Sequence, residues 1–554
     1  MNPSNNPAPG TGMPMSSEYD VLVVGAGPVG LTAAIQLGAS GWRVGVVERW
    51  PQPYRLPRAV VFDHEIARIL ASAGLAEDLP ALSEPAEDYE WRNGKGQTLL
   101  RLAFEDTSHS GWPFVSLFTQ PRLEAALEQR ARRTPGVDIL RGWEAVDLAE
   151  DASAVRLTVA ESAGNEPVLR DGVRKHRTLR AAYLVGCDGT HSFVRSRMKT
   201  SMTDLGFHYD WLVLDVIPHD TGRVWSPRNL QVCDPARPTT VVSGGPGRRR
   251  WEFMRLPGET LDGLNQEDRA WELLQPYGIH PGNATLERHT VYTFQARWAD
   301  TWRQGRLLVA GDAAHQMPPF AGQGMCSGIR DAANLTWKLG LVLSGHAPDT
   351  LLDTYTTERR QHLHYAIQAS MYLGQIICQA DPAAAAERDA RMLAELRKGG
   401  DPTTGLLVQN LTGGLLMSDA DGAPLAPAGQ LSRQGKVRFQ GRTGLFDQTA
   451  GTGFTLLAAQ DPHDVLDQAS LAWCEQVGIR LLRVTGDLTA DGPGDVVDLD
   501  GVYRSHQAES GQMALLIRPD YYVFGGAAQP DEVPRLVTAL RKGLTGRTAA
   551  LQPS

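Results

Sequence analysis

The chain has 554 residues, 42% of them hydrophobic and 21% charged, with a formal net charge of −9. That length holds two or three domains and a large core, and the acidic balance excludes nucleic acid or an anionic membrane as a main partner. No apolar run approaches the ~18–20 residues of a transmembrane helix, and five scattered cysteines without a C-x-x-C pair read as reduced thiols of a cytoplasmic protein.

In chain order, residues 1–17 have neither a basic stretch nor an apolar core and are expected to be a flexible tail rather than a signal peptide. The run Val21–Val24 predicts a buried parallel strand. Gly25, Gly27 and Gly30 follow as G-x-G-x-x-G, opening a helix over about Pro28–Ser40. Gly25 permits a tight turn, Gly27 lets the backbone approach a pyrophosphate, and Gly30 allows helix and strand to pack closely. A second strand, Trp42–Val47, ends in Glu48, about 20 residues on, where a carboxylate accepts hydrogen bonds from ribose hydroxyls. An acid there suits FAD or NAD better than NADP, without deciding between the first two.

Ala182–Cys187 reads as another buried strand, closed by Asp188 and Gly189, with Asp188 placed to cap a following helix. Over residues 201–300 the pattern changes to short β-rich runs (211–217, 230–234, 239–243, 250–256, 290–296), which predict a mostly antiparallel sheet inserted into the nucleotide fold. The chain then returns to a strand over about 306–310, ending at Asp312. Pro318-Pro319 is a stiff turn lacking two N–H donors. Gly322, Gln323 and Gly324 lead into a helix over about 325–343, whose bare N-terminal amides suit the negative charge of a reduced flavin. A helical region over 351–398 and a Gly-, Pro- and Asp-rich linker over 401–441 precede a third unit, 442–554. Its predicted β-α-β then β-β-α order looks like a thioredoxin-type fold without C-x-x-C. The 14 histidines show no paired ligand spacing, so no metal site is expected.

The ordered set VLVVGAGPVG, GCDGTHSFVR and GDAAHQMPPFAGQGMCSGIRDA resembles the flavoprotein aromatic hydroxylases, the family of para-hydroxybenzoate hydroxylase and phenol hydroxylase. Within that family LPRAVVFDHEIARIL and VCDPARPTTVVSGGPGRRRWEFMRLPGE are similar to the 3-(3-hydroxyphenyl)propionate/3-hydroxycinnamate hydroxylases. The resemblance implies an α/β fold, with a Rossmann-like FAD-binding domain (18–200 and 301–400) and an inserted substrate-binding sheet (201–300). It implies FAD as cofactor, with NADH or NADPH, oxygen and a small phenolic substrate. Oxygen would add to the reduced flavin as a hydroperoxide that attacks the ring ortho or para to the hydroxyl.

By the same resemblance Gly25, Gly27, Gly30 and Glu48 hold the ADP half of FAD, and Gln120 lies on the ribityl–pyrophosphate arm. Asp312 binds a ribityl hydroxyl, and Asp188 and Gly189 lie near the pyrophosphate. Pro318, Pro319, Gly324 and Met325 line the flavin ring, and Arg58 contacts the adenine side or the nicotinamide. Arg250 is the arginine placed to contact the flavin, and His208, beside Tyr209 and Asp210, is a candidate for the group that activates the phenol. The alternative on the same scaffold is a Baeyer–Villiger or epoxidising monooxygenase acting on a polyketide natural product. The C-terminal unit offers a contact for a homodimer.

Overall fold

The computed structural model describes residues 17–54, 56–162, 174–399 and 410–546. The expected N-terminal tail, apart from Ser17, and the first part of the 401–441 stretch lie outside the described residues.

Three large sheets organise the chain, beside a small three-stranded one. The first is a mainly parallel sheet in which Glu18–Val24 pairs with His176–Gly186 on one side and Val44–Glu48 on the other. Leu307–Val309 and Val137–Arg141 extend it outward on the two sides. The run Val21–Val24 is buried because helices cover both faces of such a sheet. Helix Pro28–Ala39 follows the first strand and packs against helix Gly324–Leu343, with Thr336 Oγ1 donating to Gln36 Oε1 at 2.9 Å. The segments predicted at either end of the first 340 residues therefore meet in one layer.

The second sheet has eight strands, in the order 315–316, 284–299, 202–218, 249–254, 239–243, 230–233, 88–93 and 98–103. It is antiparallel except where Leu230–Cys233 runs parallel to Asp88–Asn93. The sequence reading set this sheet within 201–300. The structure adds 88–103, from the segment assigned to the nucleotide-binding part, because Trp91, Leu99 and Leu100 need the same apolar cover. Strand alternation sorts its two faces. Leu212, Leu214, Val216, Trp251 and Phe253 pack against helices Leu261–Leu264 and Glu267–Leu274. Val213, Asp215, Arg250 and Glu252 point the other way, toward the first sheet.

The C-terminal unit is built on a seven-stranded sheet, with Thr455–Ala458 parallel to Arg480–Thr485 and antiparallel to Ala514–Ile517. Helices Gln468–Val477 and Val533–Thr545 pack their apolar faces on it. Strand Lys436–Phe439 of this sheet lies inside the stretch read as a linker. There Leu411, Leu416 and Ala428 also pack with Tyr522, so the described part of that stretch is integral to the fold.

Two buried ionic clusters fasten this unit. Arg68 donates to Asp447 at 2.6 and 3.0 Å and to the Ser432 carbonyl at 2.6 Å. Arg518 donates to Glu358 and Asp520, each at 2.6 Å, while Asn334 donates to Asp520 at 2.9 Å and Lys338 to Glu358 at 2.8 Å. Among the described residues no helix is long and apolar enough to cross a membrane. No group of three or more His, Cys, Asp or Glu side chains among them could hold a metal ion.

Candidate active site

Between the two larger sheets lies a cavity of about 620 Å³. Its floor is the glycine loop after the first strand. Gly25 sits at φ +106°, where side chains are disfavoured, and a Cβ there would lie 2.3 Å from the Cys187 carbonyl oxygen. A Cβ on Gly30 would lie 2.0 Å from the Gly25 carbonyl, so this glycine serves helix–strand packing. Gly27 has open space before it and lines the cavity. No side chain caps the helix it opens, so the amides of the first turn are free for an anion. Glu48 braces the loop, accepting from the Ala26 amide and the Trp50 amide, each at 2.9 Å.

The second motif supports the same floor. Asp188 accepts from Ser192 Oγ and from the Val194 amide at 3.0 Å, so its carboxylate is engaged by its own short helix. Burial raises its pKa against those hydrogen bonds. Cys187, Gly189 and Thr190 reach the cavity wall. Arg195 ties this loop to the third motif by donating to the Ala313 carbonyl at 2.7 Å.

In the third motif Asp312, Pro319, Gly324 and Met325 line the cavity. Pro318 holds the turn from behind, its carbonyl accepting from Ser370 Oγ at 2.5 Å. Gln323 precedes helix Gly324–Leu343 and makes no side-chain cap. It is held instead by Arg330 Nη1 at 2.9 Å and by its own bond to Asp63 Oδ2 at 3.1 Å. Arg330 also donates to Asp63 at 2.6 Å and Glu65 at 2.5 Å. The next residue, Asp331, accepts from the Gly311 amide at 3.0 Å, meets His315 Nε2 at 2.8 Å and accepts from Arg359 Nε at 2.8 Å. Burial would raise both acids, yet Arg330 beside Asp63, and His315 and Arg359 beside Asp331, bring each down to about 2. The sequence reading missed these clamps. Their signal was charge placed where an apolar helix face belongs: Arg330 and Asp331 inside a buried helix, and Asp63 and Glu65 at the start of another.

The roof is the polar row of the second sheet. Arg250 donates to Asp215 at 2.8 and 3.2 Å and to the Arg58 and Pro57 carbonyls at 2.6 and 2.9 Å. Arg288 stands 2.6 Å from Asp215 and donates to the Tyr292 hydroxyl at 3.0 Å. Gln120 Oε1 accepts from the Arg58 and Ala59 amides at 3.1 and 2.6 Å while its Nε2 donates to Glu124 at 2.6 Å, so its side chain fixes the 58–59 loop. Arg58 lies at the rim, half exposed and 3.9 Å from Glu124.

His208 is elsewhere. Its ring is 44% exposed, 3.2 Å from Asp204, and off the cavity wall, as strand alternation dictates for a residue on that stretch. Asp210 is likewise engaged, by Arg255 at 2.9 Å and Thr293 at 2.6 Å. An acid of this sheet that does face the cavity is Glu252, which sequence reasoning passed over although it stands two residues from Arg250 on the same strand face. Tyr89, Trp91, Phe104, Phe114, Phe294 and Phe320 complete largely apolar walls.

The cavity therefore joins two uncapped helix N-termini, an acid-braced glycine loop and an aromatic chamber. The fit to FAD is direct: open space before Gly27 for the pyrophosphate, and free amides at Gly324 and Met325 for the electron-rich edge of the ring.

Comparison with known proteins agrees with this geometry. The family described as FAD binding domain matches residues 18–370, and the HcaD C-terminal domain matches residues 429–543. The chain is 37% identical over 528 residues to the probable NADH-specific resorcinol 4-hydroxylase of Rhodococcus jostii (strain RHA1), covering 94% of each chain. It is 32% identical over 597 residues to the 3-(3-hydroxy-phenyl)propionate/3-hydroxycinnamic acid hydroxylase of Comamonas testosteroni, covering 97% of this chain and 99% of that one. Among solved structures, aklavinone-11 hydroxylase with FAD and aklavinone superposes with a TM-score of 0.74 at 26% identity, covering 96% of this chain and 99% of that one. The flavin-dependent monooxygenase PieE with FAD and substrate gives 0.77 at 22% identity, covering 95% and 99%.

Proposed function

The chain belongs to the FAD-binding aromatic hydroxylases, and from that premise we propose that it hydroxylates a small phenol with NADH and oxygen. The observation that carries this reading is the continuity of one cavity from the glycine loop, past the amides at Gly324, to the aromatic chamber under the second sheet. Bound FAD supplies hydride acceptance from the reduced nicotinamide and activation of oxygen.

The chain's own residues supply placement. Gly27 and the first turn of helix Pro28–Ala39 receive the pyrophosphate, and Glu48, already holding the Ala26 amide, is the acceptor for ribose hydroxyls. Asp312 is the acceptor on the ribityl side. The N-terminus of helix Gly324–Leu343 favours negative charge on the ring edge it faces, and Arg330, through Gln323, keeps that turn in position. Arg250 fastens the Pro57–Arg58 loop at the cavity roof, where the loop would help hold the cofactor. Phe294, Phe320 and Trp91 keep water from the reacting face, which couples NADH consumption to product rather than to peroxide. A second G-x-G-x-x-G with its own strand and acid is absent from the sequence, so the nicotinamide visits rather than resides. NADH rather than NADPH follows the specificity carried in the resorcinol hydroxylase's name.

The C-terminal unit we read as thioredoxin-like. The order 480–485, 455–458, 514–517, 523–527, with one parallel and two antiparallel pairings, supports this. Its single cysteine among the described residues, Cys474, leaves it a structural role.

The test is NADH consumption by the FAD-loaded protein against a panel of phenols, with peroxide and product followed together. Stimulated consumption, little peroxide and a ring-hydroxylated product are expected. A panel in which no phenol stimulates consumption would overturn the reading.

A further inference from the structure

We propose that His64 is the group that takes the proton of the substrate's phenol hydroxyl, and that Ser110 is the positioning residue that orients its ring. This rests on the hydroxylase reading above and assigns the activating base of that same cavity, a role for which His208 is misplaced.

His64 opens helix His64–Leu70 directly after Asp63, the acid that receives Gln323 at the head of helix Gly324–Leu343 at 3.1 Å. Its amide donates to the Phe114 carbonyl at 3.1 Å, and the two rings lie 5.3 Å apart between centroids. The imidazole thus stands between the seat of the flavin ring and the aromatic wall, and it lines the cavity. Nδ1 lies 2.9 Å from Ser110 Oγ. Nε2 has no hydrogen-bond partner among the described residues, yet it is not sealed off. With Nδ1–H donated to Ser110, Nε2 is left as an acceptor facing the substrate. Ser110 is itself fixed. Gln434 of the C-terminal unit donates from Nε2 to the Ser110 carbonyl at 2.7 Å and from its amide to the His109 carbonyl at 2.8 Å. A base oriented by a second group that the fold holds still is the arrangement proton transfer needs.

Electrostatics favour His64 over the other groups that face the cavity. Burial lowers its pKa, which keeps the ring neutral and able to accept a proton at neutral pH. The same burial raises the pKa of Glu252, which favours the form that already holds its proton. Asp63 is committed to Arg330, and the Tyr89 hydroxyl to Gln231. The charged groups around His64 are Asp63, Arg330 from helix Gly324–Leu343 and Arg68 one turn along its own helix. Arg330 is paired with Asp63 and Glu65, and Arg68 with Asp447. The His109 ring stands edge-on at 4.6 Å and is neutral too, burial bringing it down to about 4.

A weak base suffices for this step. As the ring carbon gains oxygen, positive charge builds on the phenol oxygen and its hydroxyl becomes strongly acidic. The O–H bond breaks, its electron pair stays on the oxygen, and an N–H bond forms at Nε2. When the hydroxylated carbon then releases its hydrogen to solvent as a proton, the imidazolium returns the borrowed proton to the phenol oxygen. His64 ends as it began, and the oxidant and electrons are those of the oxygen and NADH already proposed.

The experiment uses the FAD-loaded full chain with resorcinol as the phenol, and follows NADH, peroxide and hydroxylated product together across pH. Wild-type product per NADH is expected to be steady at neutral and alkaline pH. It should fall as the pH drops below the ordinary imidazole value of 6.5, where the ring comes to hold its proton. His64→Gln, checked for flavin content, is expected to transfer oxygen about 100-fold more slowly, the lower end of what a positioned base contributes. Phenol should still stimulate its NADH consumption, with peroxide replacing most of the product at neutral pH. Its yield should recover as the pH climbs toward the phenol's own pKa, about 10, where the substrate ionises unaided. A purely structural defect has no reason to recover in that way. Ser110→Ala should fall between the two and keep the loss at acid pH. Wild-type yield in a flavin-loaded His64→Gln enzyme at neutral pH would overturn the assignment, as would a defect that persists unchanged in alkali. If that variant fails to load flavin, a wild-type yield that does not fall in acid overturns it without any variant. Failure of any phenol to stimulate NADH consumption by the wild-type enzyme would instead overturn the hydroxylase reading itself.

Discussion

Asp215 and Arg250 face each other on adjacent strands in direct register, joined by two hydrogen bonds of 2.8 and 3.2 Å. Arg288 leans on the same carboxylate, so one acid holds two buried guanidinium groups. Removing one partner of such a buried cluster leaves an uncompensated charge, which costs about 3–5 kcal/mol. Asp215→Asn is therefore expected to lower stability by that amount in urea unfolding. It should also release FAD more readily, because Arg250 loses the anchor from which it grips the Pro57 and Arg58 carbonyls.

The glycine loop makes a sharper prediction. A methyl group at position 25 meets the Cys187 carbonyl oxygen at 2.3 Å with a backbone at φ +106°. Gly25→Ala is expected to give a protein that lacks the flavin absorbance bands after purification. Gly27→Ala, with open space before it, should fold and bind FAD more weakly. A Gly25→Ala protein with full flavin content would refute the role given to this loop.

Acid should loosen the ring end of the cofactor site first. Asp63 and Asp331 each fall from an ordinary 3.8 to about 2 in the folded protein. Their folded values lie below the unfolded ones, so the stability they contribute is fully present above about pH 4 and disappears as the pH falls toward 2. Each is worth roughly 2 kcal/mol on that scale. Flavin release, followed by fluorescence, is expected in that window. Asp331→Asn should shift it to higher pH, since the clamp on Gly311 and Arg359 is then already weakened.

His208→Ala is expected to leave kcat/KM within about twofold of wild type. The His208–Asp204 pair is exposed, and such pairs contribute about 0–1 kcal/mol. A large loss of activity with normal FAD content would place His208 in the chemistry after all.

The cofactor half of the site was legible because its constraints are backbone constraints. Gly25, Gly27, Gly30 and Glu48 have fixed spacings along one strand–turn–helix, and a linear motif records them directly. The substrate half was not, since it is assembled from six strands of the second sheet whose order the sequence does not state. Glu252 becomes visible only when Thr240 and Val213 are known to flank it. His208 shows the converse error. Its chemistry was suitable, but a position on a long strand fixes only which face a side chain takes, and the sequence offered no means to tell which face was the cavity. The strands at 88–103 were missed for the same reason, because their partner, 230–233, is more than 130 residues away in the chain.

The bond from Asn334 to Asp520 also ties the helix that seats the ring to a segment synthesised much later. The glycine loop is complete within the first 50 residues, and the helix that seats the ring within the first 343. Yet that helix carries the buried Asn334, whose partner Asp520 lies 186 residues further along the chain, and Glu358, the partner of Lys338, is itself held by Arg518. A nascent chain stalled before residue 518 carries a pyrophosphate loop but an unsecured ring seat. A chain cut before residue 518 is therefore expected to hold flavin less firmly than the full chain, which the flavin content of the purified truncated protein checks.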